Sequence, residues 1–376
     1  MRDVQLYLSQ VTSGGPLAEK WVRLHELYDK RLWHELTEEL LKFVKEEHFK
    51  KNGGLMDLYE HFLSDFEHRI NPLSLVELIL VIAEEITDHE KALSLYKKTQ
   101  EKIKNNTEGK VLCMTAMGLI QLKQSNLDDV KKLIKEAQAL LDSLDGVTTV
   151  HGRFYDLSSN YSKVIGSYNE YYRDALRFLG CMDITQLQES ELQQRAFNLS
   201  LAALLGSDVY NFGELLAHEV LGYLRKTENA WLVDVLFAFN SGNIQKFIEL
   251  KPQWSKQPDL AANEIALMQK ITLLCLMELS FKRKSTDRTF AFDIIAKETR
   301  LPVNEVELLV IKALSLGLIK GSIDEVNQLV TVTWVQPRVL DKTQIHSLKD
   351  LLAVWSEKVN SSVYMVENQV PELLVN

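Results

Sequence analysis

Two histidines, each preceded by a glutamate, are the residues of this chain best suited to metal chemistry. His61 follows Glu60 and His68 follows Glu67. A spacing of seven residues places both imidazoles on one face of a helix, and imidazole with carboxylate is a common ligand set for zinc. Histidines on the solvated face of an amphipathic helix show the same spacing and bind nothing. We follow this second interpretation and predict no metal site.

Groups for nucleophilic, redox or phosphate chemistry are not arranged in a known catalytic pattern. Cys113, Cys181 and Cys275 lie far apart within apolar helical patterns, without a Cys-x-x-Cys pair. They are typical of small buried hydrophobic residues in a reducing compartment. The sequence also has no GxxxxGK[ST] phosphate loop, no GxGxxG turn after a strand, and neither GxSxG nor HExxH. We therefore predict that the chain is not an enzyme and uses no cofactor.

The charge balance indicates which partners the chain avoids. It has 43 Lys and Arg against 52 Asp and Glu, a formal net charge of −9. Such a chain is repelled by phosphate backbones and anionic lipid, so we expect protein partners rather than nucleic acid or membrane. The longest apolar run, Leu78 to Ala83, is too short to cross a bilayer, and the acidic start at Met1 to Val4 does not form a signal peptide. These features predict a location in the cytoplasm and nucleus.

The elements that must carry any functional group are amphipathic helices in a repeating order. Residues that end helices recur at Ser125–Asn126, Gly166, Gly206 and Gly242, at intervals of 40, 40 and 36 residues. Between them, apolar residues recur at spacings of three and four, the pattern of a helix with one buried face. Helix pairs of this length resemble tetratricopeptide or HEAT-like repeats, which bury their apolar faces by stacking. The predicted fold is mainly α, with a right-handed α-solenoid of such repeats.

After residue 285 the pattern changes from helical to mixed. A short strand at 289–290 leads to a helix with Phe292, and a second helix covers about 304–316 before Gly317. Two β-rich runs, 318–323 and 329–335, then flank a polar stretch. Strand, helix, turn, helix and hairpin together predict a winged helix.

Winged helices often read DNA with their second helix, which must then expose polar and basic side chains. Here that helix is apolar nearly all round and adds Glu305 and Glu307 against a single Lys312. Residues 286–335 contain five Lys and Arg and seven Asp and Glu, a balance of 5 − 7 = −2. Because such a surface repels phosphate, nucleic-acid binding is kept only as an alternative function of another class.

The hairpin suggests a site for protein contact. A wing strand at a sheet edge has unpaired backbone groups, which the strand of another chain can satisfy. The alternative is a hairpin closed off by its own domain. The predicted contact residues are the apolar side chains of the two strands, Ile319, Ile323, Val330, Val332 and Trp334.

A terminal helix follows Pro337 and carries one apolar stripe. Its members recur at spacings of three and four over about six turns: Ile345, Leu348, Leu352, Trp355, Val359, Val363 and Val366. This stripe either docks on its own domain or pairs with helices of other subunits in a bundle. We favour the bundle. The predicted organisation is helical repeats in 1–165, a repeat-plus-winged-helix module in 166–338, with repeats to about 285 and the winged helix in 286–338, and an assembly helix in 339–376.

Helical repeats fused directly to a winged helix resemble the PCI-domain proteins. These proteins are named for the proteasome lid, the COP9 signalosome and a translation initiation factor. Long stretches of this chain resemble the PCI subunits of the lid of the proteasome regulatory particle: Phe154–Ser159, Tyr171–Gly180, Phe237–Asn243, Val303–Glu307, Gly317–Val326 and Trp334–Asp341.

This resemblance implies a non-catalytic subunit that supports ATP-dependent degradation of ubiquitin-tagged proteins within a hetero-oligomer. In that family, winged helices pair side by side and terminal helices gather into a bundle. The implied partners are other PCI-domain lid subunits and the ubiquitin-receptor region of the regulatory particle. A PCI subunit of the signalosome or of the initiation factor is the alternative within the same fold.

Overall fold

The computed structural model describes residues 4–12, 17–46, 49, 54–103, 106–183, 187–283, 287–340 and 342–369. The chain forms two compact units, Met1–Asp183 and Ile184–Asn376. The boundary predicted at 165/166, between the N-terminal repeats and the repeat-plus-winged-helix module, lies at a turn inside the first unit. It stays a prediction.

The described residues of the first unit are helical, with short connections. Its helices are α1 (Val4–Thr12), α2 (Ala18–Asp29), α3 (Trp33–Phe43), α4 (Leu55–Leu58), a π-helical turn (Tyr59–Leu63), α5 (Ser64–Phe66), a 3-10 turn (Glu67–Arg69), α6 (Pro72–Glu85), α7 (His89–Lys102), α8 (Thr107–Lys123), α9 (Leu127–Leu141), α10 (Thr149–Ile165) and α11 (Tyr168–Cys181).

Several of these helices begin at a side chain that satisfies their free backbone N–H groups. Asn71 accepts a hydrogen bond from the backbone of Leu73 at 3.0 Å, and Pro72 occupies the first helical position, where its missing N–H costs nothing. Asp88 and Asn106 cap α7 and α8 in the same way. The polar residues that punctuate the sequence thus set where the helices start.

Stacking inside the first unit follows the chain order. Helix α8 packs against α7 and α9, its neighbours in sequence, and also against α6 and α10, its next neighbours. Contacts between nearest and next-nearest helices are those of a helical repeat array, because one helix pair cannot bury its own apolar face. The mainly helical fold predicted from the sequence is confirmed.

The predicted punctuation residues lie where helices end. Ser125, Gly166 and Gly242 have positive φ angles of 62°, 82° and 61°, the left-handed conformation that stops a helix. Gly206 ends its helix differently, with φ −62° and ψ 126°, an extended backbone.

The second unit contains shorter helices followed by a small sheet. Its elements are α12 (Glu189–Leu205), α13 (Gly213–Ala217), α14 (Val220–Leu224), α15 (Ala230–Asn240), α16 (Ile244–Glu249), α17 (Lys251–Trp254), α18 (Pro258–Ala262), α19 (Glu264–Lys282), β1 (Thr289–Ala291), α20 (Phe292–Thr299), α21 (Val303–Ser315), β2 (Ile319–Asp324), β3 (Leu329–Val335) and α22 (Lys342–Gln369).

One apolar run with helical spacing is divided between two helices. Leu215, Leu216, Val220 and Leu224 fit one helical stripe in sequence, but they lie on two short helices, α13 and α14. The chain is extended at His218, with ψ 137°, and its imidazole Nδ1 accepts from the backbone N–H of Val220 at 3.2 Å. The extended backbone at His218 interrupts the helix, so the apolar stripe is broken there.

Helix α19 is the centre of the second unit. It packs against the repeat helices α12, α15 and α16 and against the winged-helix elements α20, α21 and β3. Two of its buried side chains are ionisable, Lys270 and Glu278. Because α19 contacts both parts, the repeats and the winged helix of this unit share one core.

Candidate assembly surfaces

The winged helix contains a three-stranded antiparallel sheet in the order β1-β3-β2. Its hairpin turns between Asp324 and Leu329, and Asp324 is held by Asn327. Hydrogen bonds from the side chain and the backbone N–H of Asn327 lower the pKa of the Asp324 carboxyl. The order of strands and helices along the chain confirms the winged helix predicted from the sequence.

The structure corrects the position of three predicted contact residues. Strand β3 is the central strand of the sheet, paired with β1 on one side and β2 on the other. Ile319, Val330 and Val332 are buried in the core of their own domain. One face of the sheet packs on helices α19 and α21. The apolar side chains on that face therefore belong to the core of the winged helix and do not face a partner.

Strand β2 forms one of the two edges of the sheet, and β1 forms the other. Among the described residues the only strand paired with β2 is β3. Along β2, Lys320, Gly321 and Ser322 are exposed, and Ile323 is half-buried. An edge strand presents backbone N–H and C=O groups that a strand from another chain can pair with.

Trp334 remains at the surface beside this edge. Its side chain is 38% exposed, and the Lys320 ammonium lies 5.0 Å from its ring centroid, within the range of a cation–π contact. A β-bulge between Lys320 and Gly321 shifts the register here, and the Thr333 hydroxyl donates to the Lys320 carbonyl at 3.1 Å. Partner contact through Ile323 and Trp334 stays a prediction.

The terminal helix α22 carries the second candidate surface. Every side chain from 345 to 369 is exposed. The seven predicted stripe residues are between 41% and 65% exposed, with Val359 the least and Trp355 the most. A helix whose apolar residues are this open has no packing partner along its length within the described chain, so docking on its own domain is not observed.

Three further apolar residues widen the stripe and were missed from the sequence: Leu351, Val354 and Met365, all more than half exposed. At about 100° per residue, they extend the apolar arc to roughly half of the helix circumference. Their spacing of three and eleven residues, which returns close to the same side of a helix, was the signal in the sequence that could have identified them. A two-stranded coiled coil needs only a narrow seam, so an arc this wide fits a bundle in which at least two other helices flank α22.

The second helix of the winged helix, α21, presents an apolar face to solvent. Leu308 is 66% exposed, and Ile311 and Leu316 are exposed beside it. The only basic residue of this helix, Lys312, donates to the Gln269 side chain at 2.8 Å. This face offers apolar contact and has little to attract phosphate.

The residues considered for chemistry lie apart from one another. His61 stacks on Tyr7 with ring centroids 5.4 Å apart, and His68 accepts from the Arg69 side chain at 3.2 Å. Across the described ranges, no group of three His, Cys, Asp or Glu side chains is placed to hold a metal ion. None of the described helices is long and apolar enough to cross a membrane.

Comparison with known proteins agrees with this layout. The chain matches the family described as PSD13 N-terminal repeats over residues 20–236 and the PCI domain over residues 244–334. The PCI match covers α16 to β3, the part of the second unit that contains α19 and the winged helix.

Similar proteins match over nearly the whole chain. The Arabidopsis thaliana protein named 26S proteasome non-ATPase regulatory subunit 13 homolog B is 38% identical over 100% of both chains. The Saccharomyces cerevisiae 26S proteasome regulatory subunit RPN9 is 35% identical, covering 92% of this chain and 90% of its own length. A Dictyostelium discoideum translation initiation factor 3 subunit M is more distant, at 23% over 65% of this chain. The chain therefore belongs to the family of the 26S proteasome non-ATPase regulatory subunit 13.

Proposed function

We propose that this chain is a non-catalytic structural subunit of the lid of the proteasome regulatory particle, anchored there by its terminal helix. The observation that carries the proposal is the solvent-exposed apolar arc of α22. Full-length similarity to 26S proteasome regulatory subunits supports that complex as the one in which the arc would be covered.

The energetic argument rests on the seven stripe residues. Burying an apolar side chain of this size stabilises an association by about 1.5–3 kcal/mol relative to leaving it in water. Even after the large cost of association, several such side chains are enough for a stable helical bundle. Left uncovered, the same arc is a patch that favours aggregation.

The partners in this proposal are other PCI-domain subunits, with the ubiquitin-receptor region of the particle as a further neighbour. The β2 edge and Trp334 form the second contact, between winged helices. The absence of a catalytic role is part of the proposal, supported by the non-ATPase naming of the relatives. A location in the cytoplasm and nucleus, where such particles would work, also belongs to the proposal.

The test replaces two stripe residues by aspartate, Leu352→Asp with Trp355→Asp. Both side chains are exposed in the isolated chain, so its folding should not change. In the bundle each aspartate would be buried without a partner at a cost of several kcal/mol. Because each 1.4 kcal/mol is about tenfold in affinity, we expect co-purification with lid subunits to fall at least a hundredfold.

The matched control places two aspartates on the polar side of the same helix, Ala353→Asp with Asn360→Asp. Both positions are exposed and lie away from the apolar arc. This variant should co-purify with the lid like the wild type, and circular dichroism should show equal folding of both variants. If the Leu352/Trp355 variant enters the lid as well as the control, the terminal helix does not hold the subunit.

A further inference from the structure

Residues 336–339, which follow β3, are fastened to the helical part of the second unit by Arg338. Its Nη1 donates to the backbone carbonyl of Asn240, the last residue of α15, at 3.1 Å. Its Nη2 forms an ion pair with Glu278 of α19. The guanidinium also lies over the Phe281 ring, 5.0 Å from the centroid. The side chains of Arg338 and Glu278 are only 7% and 11% exposed.

The residue after Arg338 is fitted just as closely. A Cβ added to Gly213 would lie 2.4 Å from the Val339 Cβ and 3.1 Å from the Val339 carbonyl oxygen. No real side chain tolerates such a distance, so only glycine at the start of α13 lets Val339 lie there. On the other side, the Gln336 N–H donates to the Leu318 carbonyl at 2.8 Å. The segment is therefore held at Gln336, Arg338 and Val339 in turn.

A buried ion pair fixes geometry more than it adds stability. Removing two charges from water costs several kcal/mol per ion, which is recovered only when the partners stay in good geometry and the remaining donors are satisfied. The planar guanidinium of Arg338 contacts a carboxylate, a carbonyl and an aromatic face together, so a displaced segment would lose all three contacts. A displaced segment would leave Glu278 buried, and within the described part of the chain its remaining ionic partner would be Lys282, 3.6 Å away and largely exposed.

We propose that the Arg338–Glu278 pair and the Gly213–Val339 contact form an anchor that fixes where the terminal helix leaves the PCI module. We call these four residues the root anchor. The anchor presents the apolar arc of α22 from a fixed point instead of from a loose tether. This second part rests on the proposed function, since it concerns how the arc reaches the bundle. A fixed starting point lowers the ordering cost of assembly, because fewer positions of the helix must be given up on binding.

The test measures how precisely the helix root is held in the full chain. Spin labels are attached to cysteines introduced at Lys256, exposed after α17, and at Ile345, in the first turns of α22, with Cys181 replaced by serine. Pulsed electron resonance gives the distribution of distances between the two labels. The anchored chain should give one narrow distribution.

Three variants loosen the anchor in different ways. Arg338→Met and Glu278→Gln each remove one charge, and Gly213→Val displaces Val339 while keeping the ion pair. Each should broaden the distance distribution at least twofold. The double variant Arg338→Met/Glu278→Gln should broaden it no further than either single change, because both residues act in one contact.

The matched control is Lys282→Gln, which removes the exposed neighbour of Glu278 and should leave the distribution narrow. Thermal unfolding of each variant separates a loosened root from a chain that fails to fold. If the folded Arg338→Met and Glu278→Gln chains keep the width of the wild type, there is no anchor.

Lid incorporation, measured with the unlabelled variants and co-expressed lid subunits, tests the second part. We expect Arg338→Met to slow incorporation at least fivefold and Lys282→Gln to leave it unchanged. If Arg338→Met broadens the distances but enters the lid at the normal rate, while Leu352→Asp/Trp355→Asp is excluded, the anchor has no role in assembly. If the Leu352/Trp355 variant also enters normally, the proposed function fails, and the distance measurement still decides whether the anchor exists.

Discussion

The buried lysine of α19 gives the sharpest prediction about stability. The Lys270 Nζ donates to the carbonyls of Ala203, Leu204 and Gly206 at 2.7, 3.1 and 2.6 Å, at the C-terminal end of α12. Burial away from water opposes its charged form and lowers the pKa of Lys270 to about 7. Three carbonyl acceptors at a helix C-terminus favour the ammonium, because only that form has three N–H donors. The pH dependence of stability decides how these opposing effects balance.

The sign follows from proton binding in the two states. In the unfolded chain this amine has its ordinary pKa of 10.5 and binds a proton throughout the range below it. In the folded chain it releases that proton above about pH 7. Because the unfolded state binds more protons between these values, the contribution of Lys270 to the free energy of unfolding rises with pH across this window. From pH 7 to pH 8.5 the expected gain is about 1.6 kcal/mol.

Replacing Lys270 by methionine isolates this contribution, because the length of the side chain is kept and the titrating group is lost. Urea unfolding of the wild type and of Lys270→Met, followed by circular dichroism at several pH values, gives the difference in unfolding free energy. Between pH 7 and pH 8.5 the free energy of unfolding of the wild type should rise by about 1.6 kcal/mol relative to that of Lys270→Met. The comparison cancels the other groups that titrate in the same range.

The matched control is Lys312→Met, which removes an exposed lysine that contacts the adjacent Gln269. Lys312 is exposed to water in the folded chain, so its replacement supplies a comparison in which no buried lysine is lost. If the Lys270→Met difference does not change between pH 7 and pH 8.5, the three carbonyls outweigh the loss of hydration, and the argument from burial is wrong.

Two further predictions concern packing and thiol access. Gly242→Ala should lower the free energy of unfolding by at least about 2 kcal/mol, because φ is +61° and a Cβ would lie 2.6 Å from the Cys275 Cα. The control Gly166→Ala, where φ is +82° and the surrounding space is open, should lower it by only about 1 kcal/mol. In the folded chain, the half-buried Cys181 should react with a thiol reagent at least about tenfold faster than Cys113 and Cys275. Burial raises the pKa of Cys275 to about 11 and shields both buried thiols. Equal rates for all three cysteines would contradict the burial of Cys113 and Cys275.

The helices were the most predictable part of the fold. Asn71 acts through its side chain and Gly166 through its backbone conformation. Because both effects are local, the positions of such residues in the sequence already indicate where helices begin and end. The winged helix was predictable for the same reason, because the change from a period of about 3.6 to a period of two is local.

The candidate site was predictable only in part. The apolar stripe of α22 follows from spacing alone, and its exposure agrees with a surface meant for other helices. The hairpin is different, since Val330 and Val332 on β3 have the same pattern whether they face a partner or their own core. Their burial depends on helices α19 and α21, which pack on the sheet, and β3 is the central strand because β1, a three-residue strand far away in sequence, pairs with it. Pairing between distant strands is not encoded in either strand by itself.

By itself, the sequence determined the helical repeats, the winged helix and the apolar stripe at the end, because hydrophobic periodicity and capping residues act over a few positions. Only the tertiary structure decided which strands form the sheet edges, which lysine is buried and what holds the root of the terminal helix. Arg338 and Glu278 are 60 residues apart, and nothing in either local pattern distinguishes them from solvated charges. Packing of the chain brings these two side chains into contact and removes both from water, so the two charges compensate each other.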